Sequence, residues 1–590
     1  MKYKLRNNYT TDPDYALATI LMDRGVEDIE NFLNPSFSCE LNPYDLDNIE
    51  AATELLLHHL RNNDSIVFVV DADCDGFTSS SILWLYIKHI FPNADLNFTV
   101  HEHKQHGLED KIDWIIENEY KLVICPDAAS YDIECHRRLM EVGINCLILD
   151  HHEQLYDDNG NPVISTCSNT IIVNNQLSKK YNNKSLCGAG VVYKFCEVLD
   201  DTLGIEQAPN YLDLVALGEI ADVMDRTNIE TNYLMLQGLR HINNKGFKIL
   251  LEAQSFSLKE KAIAPWPGLT PIDIAFYIAP LINAITRVGS LQEKEAMFYC
   301  FIEPDRLMPS TKRGAKLGDT ETAAEQTARV GKNAKARQDK LKDKAIDLID
   351  FKIQKNDLLE NNIILVELDD YDNIPQELTG LVAMAIVSKY HKPCMIGCRN
   401  SKNEIQGSTR NDSNFAGLPS LKKFLEESNL ISYVAGHDNA NGFGISAKKV
   451  DNLMAYANSH LNASDFENCY TVDYILDGRN NNNVELLRSL AAHPEFFGNH
   501  IDEIKFVITN ISLANIMVMG ANKDSIKISY NGIDYIRFKD IDFIEQIINN
   551  RTKTITVYGR ANLNSYMGKT TVQLFCDDYQ FEEYINKYDF

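Results

Sequence analysis

Asp71, Asp73 and Asp75 follow directly on five apolar residues, Ile66–Val70, so three carboxylates crowd the end of one buried strand. Gly76 permits a sharp turn there, and Thr78 to Ser81 offer caps for a helix continuing through residues 82–90. Capping needs one Asp; three so close repel one another unless a cation neutralises them. Three other pieces repeat the placement. Asp127 follows an apolar run at 122–125, Asp150-His151-His152 follows another at 145–149, and Asp222 lies in an apolar helical pattern at 211–223. A lone carboxylate in so apolar a segment requires a partner. Two adjacent histidines after a buried strand cannot both be core residues, so one should face a cleft. Carboxylates with one or two imidazoles suit Mn²⁺ or Mg²⁺ better than a structural zinc. Two such ions about 3.5–4 Å apart can activate a water and stabilise the leaving oxygen in phosphodiester hydrolysis.

These residues need a scaffold that brings strand ends together. Leu96–Val100 reads as a further strand, and helical patterns at 112–119 and 133–142 alternate with the strands. That alternation predicts a doubly wound α/β domain, which binds ligands beyond the carboxyl ends of its strands. The loop His101-Glu102-His103-Lys104-Gln105-His106-Gly107 holds residues able to bind metal or phosphate, or is a solvated loop. A helix opens near Gly188 and Gly190. Arg287 stands in an apolar setting at 279–289, either as a phosphate contact or as half of a structural ion pair.

From about 317 to 350 charges of both signs replace apolar residues, as in a helix that bridges domains through solvent. Its Lys332, Lys335, Arg337, Lys340, Lys342 and Lys344 either face DNA or simply solvate it. A second, smaller α/β unit follows, with a strand at 363–367, a helix at 379–390, and polar glycine-flanked loops at 407–410 and 435–443. After about 460, short strand patterns at 503–508, 526–530, 554–558 and 570–575 read as a small barrel or sandwich. Arg551, Lys553, Arg560 and Lys569 alternate there with Tyr558, Tyr566 and Phe575, a mixture that suits single-strand binding unless the aromatics are core. Residues 1–60 look helical and polar, an N-terminal cap on the first domain.

The 590 residues allow roughly three to five domains. A formal charge of −27 argues against adhesion to nucleic acid through the whole surface, but leaves room for a local basic groove. Thirteen cysteines without a close CxxC pair exclude a zinc ribbon and a disulfide scaffold, and fit reduced thiols in a cytoplasm. Neither a signal core at the N-terminus nor an apolar run of about 18 residues is found, so no membrane span is expected.

The Asp-x-Asp-x-Asp-Gly stretch, Asp127, the Asp-His-His triplet and Gly-Glu-Ile-Ala-Asp222 occur in the order of the DHH phosphoesterase superfamily. Leu-Ile-Asn-Ala-Ile-Thr-Arg287, Gly-Ser-Thr-Arg410, Gly-His437-Asp-Asn-Ala-Asn-Gly-Phe and the C-terminal Val-Tyr-Gly-Arg560-Ala-Asn-Leu-Asn resemble its RecJ-like, single-strand-specific exonuclease branch. The resemblance spans about residues 50–585. It implies a helical cap at 1–60, a DHH domain with a doubly wound parallel sheet at 61–316, a linking helix at 317–352, a DHHA1 domain at 353–460 and an OB-like β-barrel at 461–590. It implies two Mn²⁺ or Mg²⁺ ions held by Asp73, Asp75, Asp127, His151 and Asp222, with Asp127 bridging, Asp71 accessory and Asp150 orienting the histidines. His152 would sit near the scissile phosphate. Arg287, Asn283 and His437 would contact substrate, and Ser408 with Arg410 a 5′ phosphate.

The implied activity is 5′→3′ hydrolysis of single-stranded DNA to mononucleotides in repair, recombination or replication. A helicase or single-strand-binding protein would be a partner, and the site of action the cytoplasm of a bacterium or of a virus's host. The two α/β domains would wall a groove sized for one strand. Two alternatives stay open: a DHH phosphodiesterase acting on short RNA or small nucleotides, and an inactive replisome scaffold. The sequence departs from the family pattern in three places, one of them Ala435-Gly436-His437 where a Gly-Gly-His is usual. Ala128 and Ala129 stand where a glycine is usual. His101 and Gln105-His106 replace an Arg and a Gly-Tyr pair, so a weaker preference for 5′ phosphate, growing as pH falls towards about 6, is expected.

Overall fold

A computed structural model describes residues 1–582 apart from 103–104, 157–159, 266–267, 370–371, 373, 376–377, 552 and 567. The chain forms two compact units. One comprises Leu21–Arg337 with Pro494–Asp502; the other comprises Met1–Ile20, Gln338–His493 and Glu503–Phe590.

The unit that begins at Leu21 is built on a five-stranded sheet, parallel throughout, with Leu96–Val100 at one edge, then Ile66–Val70, Leu122–Pro126, Asn145–Asp150 and Thr170–Asn174. Successive side chains of a strand point to opposite faces. Here both faces are covered. Ile66, Phe68 and Val70 join Ile124 and Leu147 in one core, whereas Val67 and Val69 join Val123, Cys125 and Ile148 in another. That is why the strands read as unbroken apolar runs, and each such side chain contributes roughly 1.5–3 kcal/mol by burial. Helices Ile49–Asn62, Cys74–Ile90 and Gly188–Leu203 cover the first core; Ile112–Glu117 and Ile133–Glu141 cover the second. The expected doubly wound sheet is therefore present, and its parallel strands deliver Asp71, Asp127 and Asp150 at one edge.

Helix Cys74–Ile90 is buried nearly all round. Three of its hydroxyls are satisfied within the helix: Thr78 donates to Asp75 O, Ser79 to Gly76 O and Ser81 to Phe77 O, whereas Ser80 Oγ is buried without a partner. The π turn Ile274–Ile278 leads into helix Ala279–Val288. The 18 residues 271–288 are long and apolar enough to cross a membrane by length and composition, against the expectation of no such run, but half of this window is buried inside the protein.

The linking helix runs Ala323–Lys355, 33 residues or roughly 50 Å, rather than 317–352. The difference has a local cause: Thr320–Thr322 pairs as a strand with Leu307–Pro309, and Glu321 between them is buried. Of the basic residues expected along the helix, Arg337 is engaged by Glu293 and Lys342 lies near Asp339.

In the other unit, strands Tyr433–His437, Ala440–Ser446, Glu404–Arg410, Cys394–Arg399 and Ile364–Leu368 form a mixed sheet in that order, with helix Thr379–Tyr390 packed on it. The last part of the chain forms a seven-stranded sheet dominated by the long hairpin Thr554–Tyr566 and Lys569–Glu582. One sequence expectation is corrected here. The helical cap over 1–60 holds only in part: residues 21–60 belong to the first unit and carry helices Ile29–Leu33 and Ile49–Asn62, but Lys2–Leu5 is a strand paired in parallel with Cys469–Val472 and Met1–Ile20 belongs to this second unit. The run Lys-Tyr-Lys-Leu has the period of a half-buried strand, not of a helix.

Candidate metal centre

The acids converge through close backbone approaches that require glycine. At Gly76 a Cβ would lie 2.5 Å from Asp71 Cβ, at Gly188 2.6 Å from Asp127 Cβ, and at Gly218 2.6 Å from Asp75 Oδ1. Asp73 caps helix Cys74–Ile90, its Oδ1 accepting from Gly76 N at 3.0 Å. Asp75 reaches the N-terminus of helix Gly188–Leu203 and accepts from Gly188 N at 2.5 Å and Ala189 N at 3.0 Å. The helix dipole favours a carboxylate at that place. Asp222 follows the last turn of helix Leu212–Ala221.

His151 Nε2 sits at the focus, 3.1 Å from Asp127 Oδ1, 3.5 Å from Asp222 Oδ2 and 3.8 Å from Asp75 Oδ2. Asp127 Oδ1 is buried and makes no hydrogen bond, despite that short approach. Asp71 Oδ1 is likewise buried and without a partner. Ligand atoms of Asp75, His151 and Asp222 lie within 4.8 Å of one another, as do those of Asp127, His151 and His152, and those of Asp71, Asp73 and His106. Unsatisfied buried carboxylate oxygens are costly. Oxygen-rich donor sets completed by imidazole fit hard divalent cations of the Mn²⁺ and Mg²⁺ class.

The electrostatics agree with that fit. Burial, and then the charges of Asp75, Asp73, Asp71 and Asp222, push the Asp127 carboxyl well above the usual range. Burial followed by Asp75 and Asp73 takes Asp222 up to about 8, and burial takes Asp71 up to about 6 against the opposing bond from His106. Burial lowers His151. The three raised acids mark carboxylates confined by burial and by one another without a counterion, whereas the His151 shift reflects its burial. Asp150 is the exception. Its burial would raise it, but the hydrogen bond and charge of His152 hold it well below the usual range. It accepts from His151 N, His152 N, His152 Nδ1 and Ser130 N. The bond to Asp150 in turn raises His152 to about 9. The His152 side chain is half exposed.

Beside the acids lies a cleft of about 180 Å³ lined by Asp73, Asp75, Asp222, Asn283, Thr286 and Arg287. Asn283 and Arg287 are one helical turn apart on Ala279–Val288, so both line the cleft that the carboxylates share. The other predicted substrate residues lie in the mixed sheet of the second unit. Arg410, Ala440 and His437 stand in register across three adjacent strands. Ser408, two residues before Arg410 on the same face, exchanges a hydrogen bond with Thr379 at the start of helix Thr379–Tyr390 (2.9 Å).

Some expectations change. His101 is fully buried against Asp110, and burial lowers its pKa, so it cannot serve as a pH-dependent contact to a 5′ phosphate. His103 and Lys104 of the same loop lie outside the described residues. His106, in the loop read as able to bind metal or phosphate but not named among the ligands, donates to Asp71 Oδ2 at 2.6 Å. The loop after Asp127 keeps a left-handed geometry without glycine: Asp127 has φ 69° and Ala129 φ 78°. In the C-terminal sheet Tyr558 is a core residue stacked on Tyr470 at 4.1 Å, which removes it from any stacking surface. The side chain of Tyr566 lies outside the described residues. Thr286, Ser130 and Asn174 were missed. Asn174 donates to Ser130 Oγ and to His152 O, fixing the loop that bears the histidines, and its only sequence signal was its place at a strand end.

Comparison with known proteins now gives this geometry a family. The model for the N-terminal domain of the DHH family matches residues 65–219, and that of the RecJ OB domain matches residues 473–578. The protein named SPbeta prophage-derived single-strand DNA-specific exonuclease YorK, from Bacillus subtilis (strain 168), is 35% identical over 97% of both chains. The single-stranded-DNA-specific exonuclease RecJ of the same organism is 23% identical over 96% of this chain and 68% of its own length. The crystal structure of RecJ in complex with Mn²⁺ from Thermus thermophilus superposes with a TM-score of 0.68 at 19% identity, covering 96% of this chain and 76% of that one. A second structure of that protein, with Mg²⁺, gives 0.62. Fold, ordered acid and histidine motifs, and full-length similarity to YorK together show that this chain belongs to the RecJ family of DHH proteins.

Proposed function

We propose that the protein is a metal-dependent exonuclease that hydrolyses single-stranded DNA from the 5′ end to mononucleotides. The carrying observation is the cluster in which His151 Nε2 faces Asp127 and Asp222 while buried carboxylate oxygens of Asp71 and Asp127 lack any donor. Asp73, Asp75, Asp127, His151 and Asp222 would hold two Mn²⁺ or Mg²⁺ ions, with Asp71 and His106 beside them. When bound, such ions lower the pKa of a water and neutralise charge on a phosphodiester.

The chain's own residues set up the rest. Asp150 fixes the ring orientation and tautomer of His152, which keeps a proton near neutral pH to give to a phosphate oxygen or leaving group. Arg287 and Asn283 line the same cleft and suit a phosphate group there. Ser408, Arg410 and His437 form a polar, cationic stretch of sheet suited to a terminal 5′ phosphate. The relatives named for single-strand DNA specificity favour that substrate over short RNA or small nucleotides, and the complete acid set disfavours an inactive scaffold. Repair, recombination or replication supply single strands, so a helicase or a single-strand-binding protein fits as partner. Thirteen free cysteines fit reducing cytoplasm, of a bacterium or of a virus's host.

The test is degradation of a single strand, a blunt duplex and a 5′-tailed duplex with Mn²⁺, each labelled at either end. Mononucleotides from the 5′ end of the single strand and of the tail are expected, with the blunt duplex spared. Equal rates on blunt duplex and single strand, or attack from a free 3′ end, contradict the reading.

A further inference from the structure

Nine residues from the C-terminal third of the chain, Pro494–Asp502, belong to the compact unit of the candidate metal centre. Their anchor is Arg226, fully buried, whose Nη1 donates to Glu495 O at 2.8 Å and Phe497 O at 3.1 Å. Asn232 Oδ1 accepts from Arg226 Nε and Nη2, and Phe496 packs on Phe32 with ring centroids 5.7 Å apart. So anchored, the segment turns tightly through Gly498, Asn499 and His500, all left-handed at φ 100°, 46° and 71°, and closes with reciprocal hydrogen bonds between Gly498 and Ile501.

The tip of this turn meets the end of the helix that delivers Asp222. The last carbonyls of a helix have no partner within it; here Met224 N already reaches Glu219 O and Val223 N reaches Ile220 O, and the turn adds side-chain donors to them. Asn499 Nδ2 donates to Glu219 O at 3.1 Å and Ile220 O at 3.4 Å, and His500 Nε2 donates to Val223 O at 3.1 Å. These carbonyls bracket Asp222. Val223 is itself held left-handed, at φ 57°, a conformation that costs a β-branched residue energy and persists only where its surroundings enforce it. The Asp222 carboxylate ends 3.5 Å from His151 Nε2.

We propose that Asn499 and His500 are positioning residues that lock the Asp222-Val223 turn, and so preorganise Asp222 for the metal. The proposal rests on the reading of Asp222 as a ligand. It also changes what a truncation means. Removing everything after about residue 460 strips this brace along with the C-terminal sheet, so a truncated protein loses metal affinity and does not report strand binding alone.

The experiment measures Mn²⁺ affinity of the full chain by the paramagnetic resonance of free Mn²⁺, alongside apo melting temperature and the Mn²⁺ concentration giving half-maximal activity. Asn499→Asp keeps the shape but replaces the donor with an acceptor; Mn²⁺ binding at the Asp222 site should weaken about 10–100-fold, as for other groups that orient a metal ligand. Asn499→Gly tolerates the left-handed backbone, loses only the amide, and should weaken binding too. His500→Ala should do likewise, and His500→Gln, whose amide can donate to the same carbonyl, should recover affinity. In all weakened variants saturating Mn²⁺ restores kcat. A merely structural contact would lower the melting temperature and leave the Mn²⁺ dependence where it was. Wild-type affinity in folded Asn499→Gly and His500→Ala overturns the proposal. Wild-type affinity in Asp222→Ala overturns instead the reading on which it rests.

Discussion

In the Asp127→Ala variant, Mn²⁺-dependent release of nucleotides falls by at least about 10³-fold, the loss of several kcal/mol of transition-state stabilisation that a metal ligand supports. The apo protein, by contrast, melts at a higher temperature than wild type. Both effects come from one side chain. Asp127 is buried at 2% exposure, with Asp75, Asp73, Asp71 and Asp222 acting on it and a carboxylate oxygen that nothing satisfies. Folding without metal must confine that charge, and alanine removes the requirement. A gain of roughly 1–3 kcal/mol, or a few degrees, is expected. Opposite signs on activity and apo stability are the signature of a site built for an ion, since a residue kept for structure would lower both. Calorimetry of the two apo proteins with a turnover assay settles the point. Wild-type turnover in the variant, or a lower apo melting temperature, contradicts the assignment.

Asp150→Asn acts in the other direction on stability. The carboxylate accepts from Ser130 N, His151 N, His152 N and His152 Nδ1 and is almost wholly buried. An amide of the same size has only one accepting oxygen, so its nitrogen must face at least one of these donors. The His152 imidazolium loses its charge partner as well. Because His152 is half exposed, the loss is smaller than for a wholly buried pair, roughly 2–4 kcal/mol, which in a unit of this size lowers the melting temperature by about 3–6 °C. The His152 ring and the backbone that carries His151 lose their fixed orientation, and Mn²⁺ affinity or activity should fall about 10–100-fold. Thermal melts and Mn²⁺ titration of the variant check both parts. Unchanged melting would mean that the Asp150 network does not hold the histidine loop.

The features legible in the sequence are those set by local rules. Unbroken apolar runs announced strands buried on both faces, and parallel strands put Asp71, Asp127 and Asp150 at one edge whatever the loops between them do. Contacts made across long separations were not legible. His106 bonds Asp71 across 35 residues, and Asn499 reaches Glu219 across 280. No periodicity signals such pairs, because they depend on where loops fold back. His101 sits in a polar loop that suggests a ligand contact, yet its side chain turns into the interior, where Nδ1 pairs with Asp110. At the N-terminus four residues with a strand-like alternation were absorbed into a helical reading of their neighbours, though their partner strand begins only at Cys469.

The most direct measurement of the central claim is a Mn²⁺ titration of the full chain, followed by paramagnetic resonance at low temperature and run beside hydrolysis of a 5′-labelled single strand. Two ions bound per chain, magnetically coupled as expected for centres about 3.5–4 Å apart, with hydrolysis rising as they bind and abolished by EDTA, is the predicted result. Uncoupled or absent Mn²⁺, or hydrolysis that persists in EDTA, would contradict it.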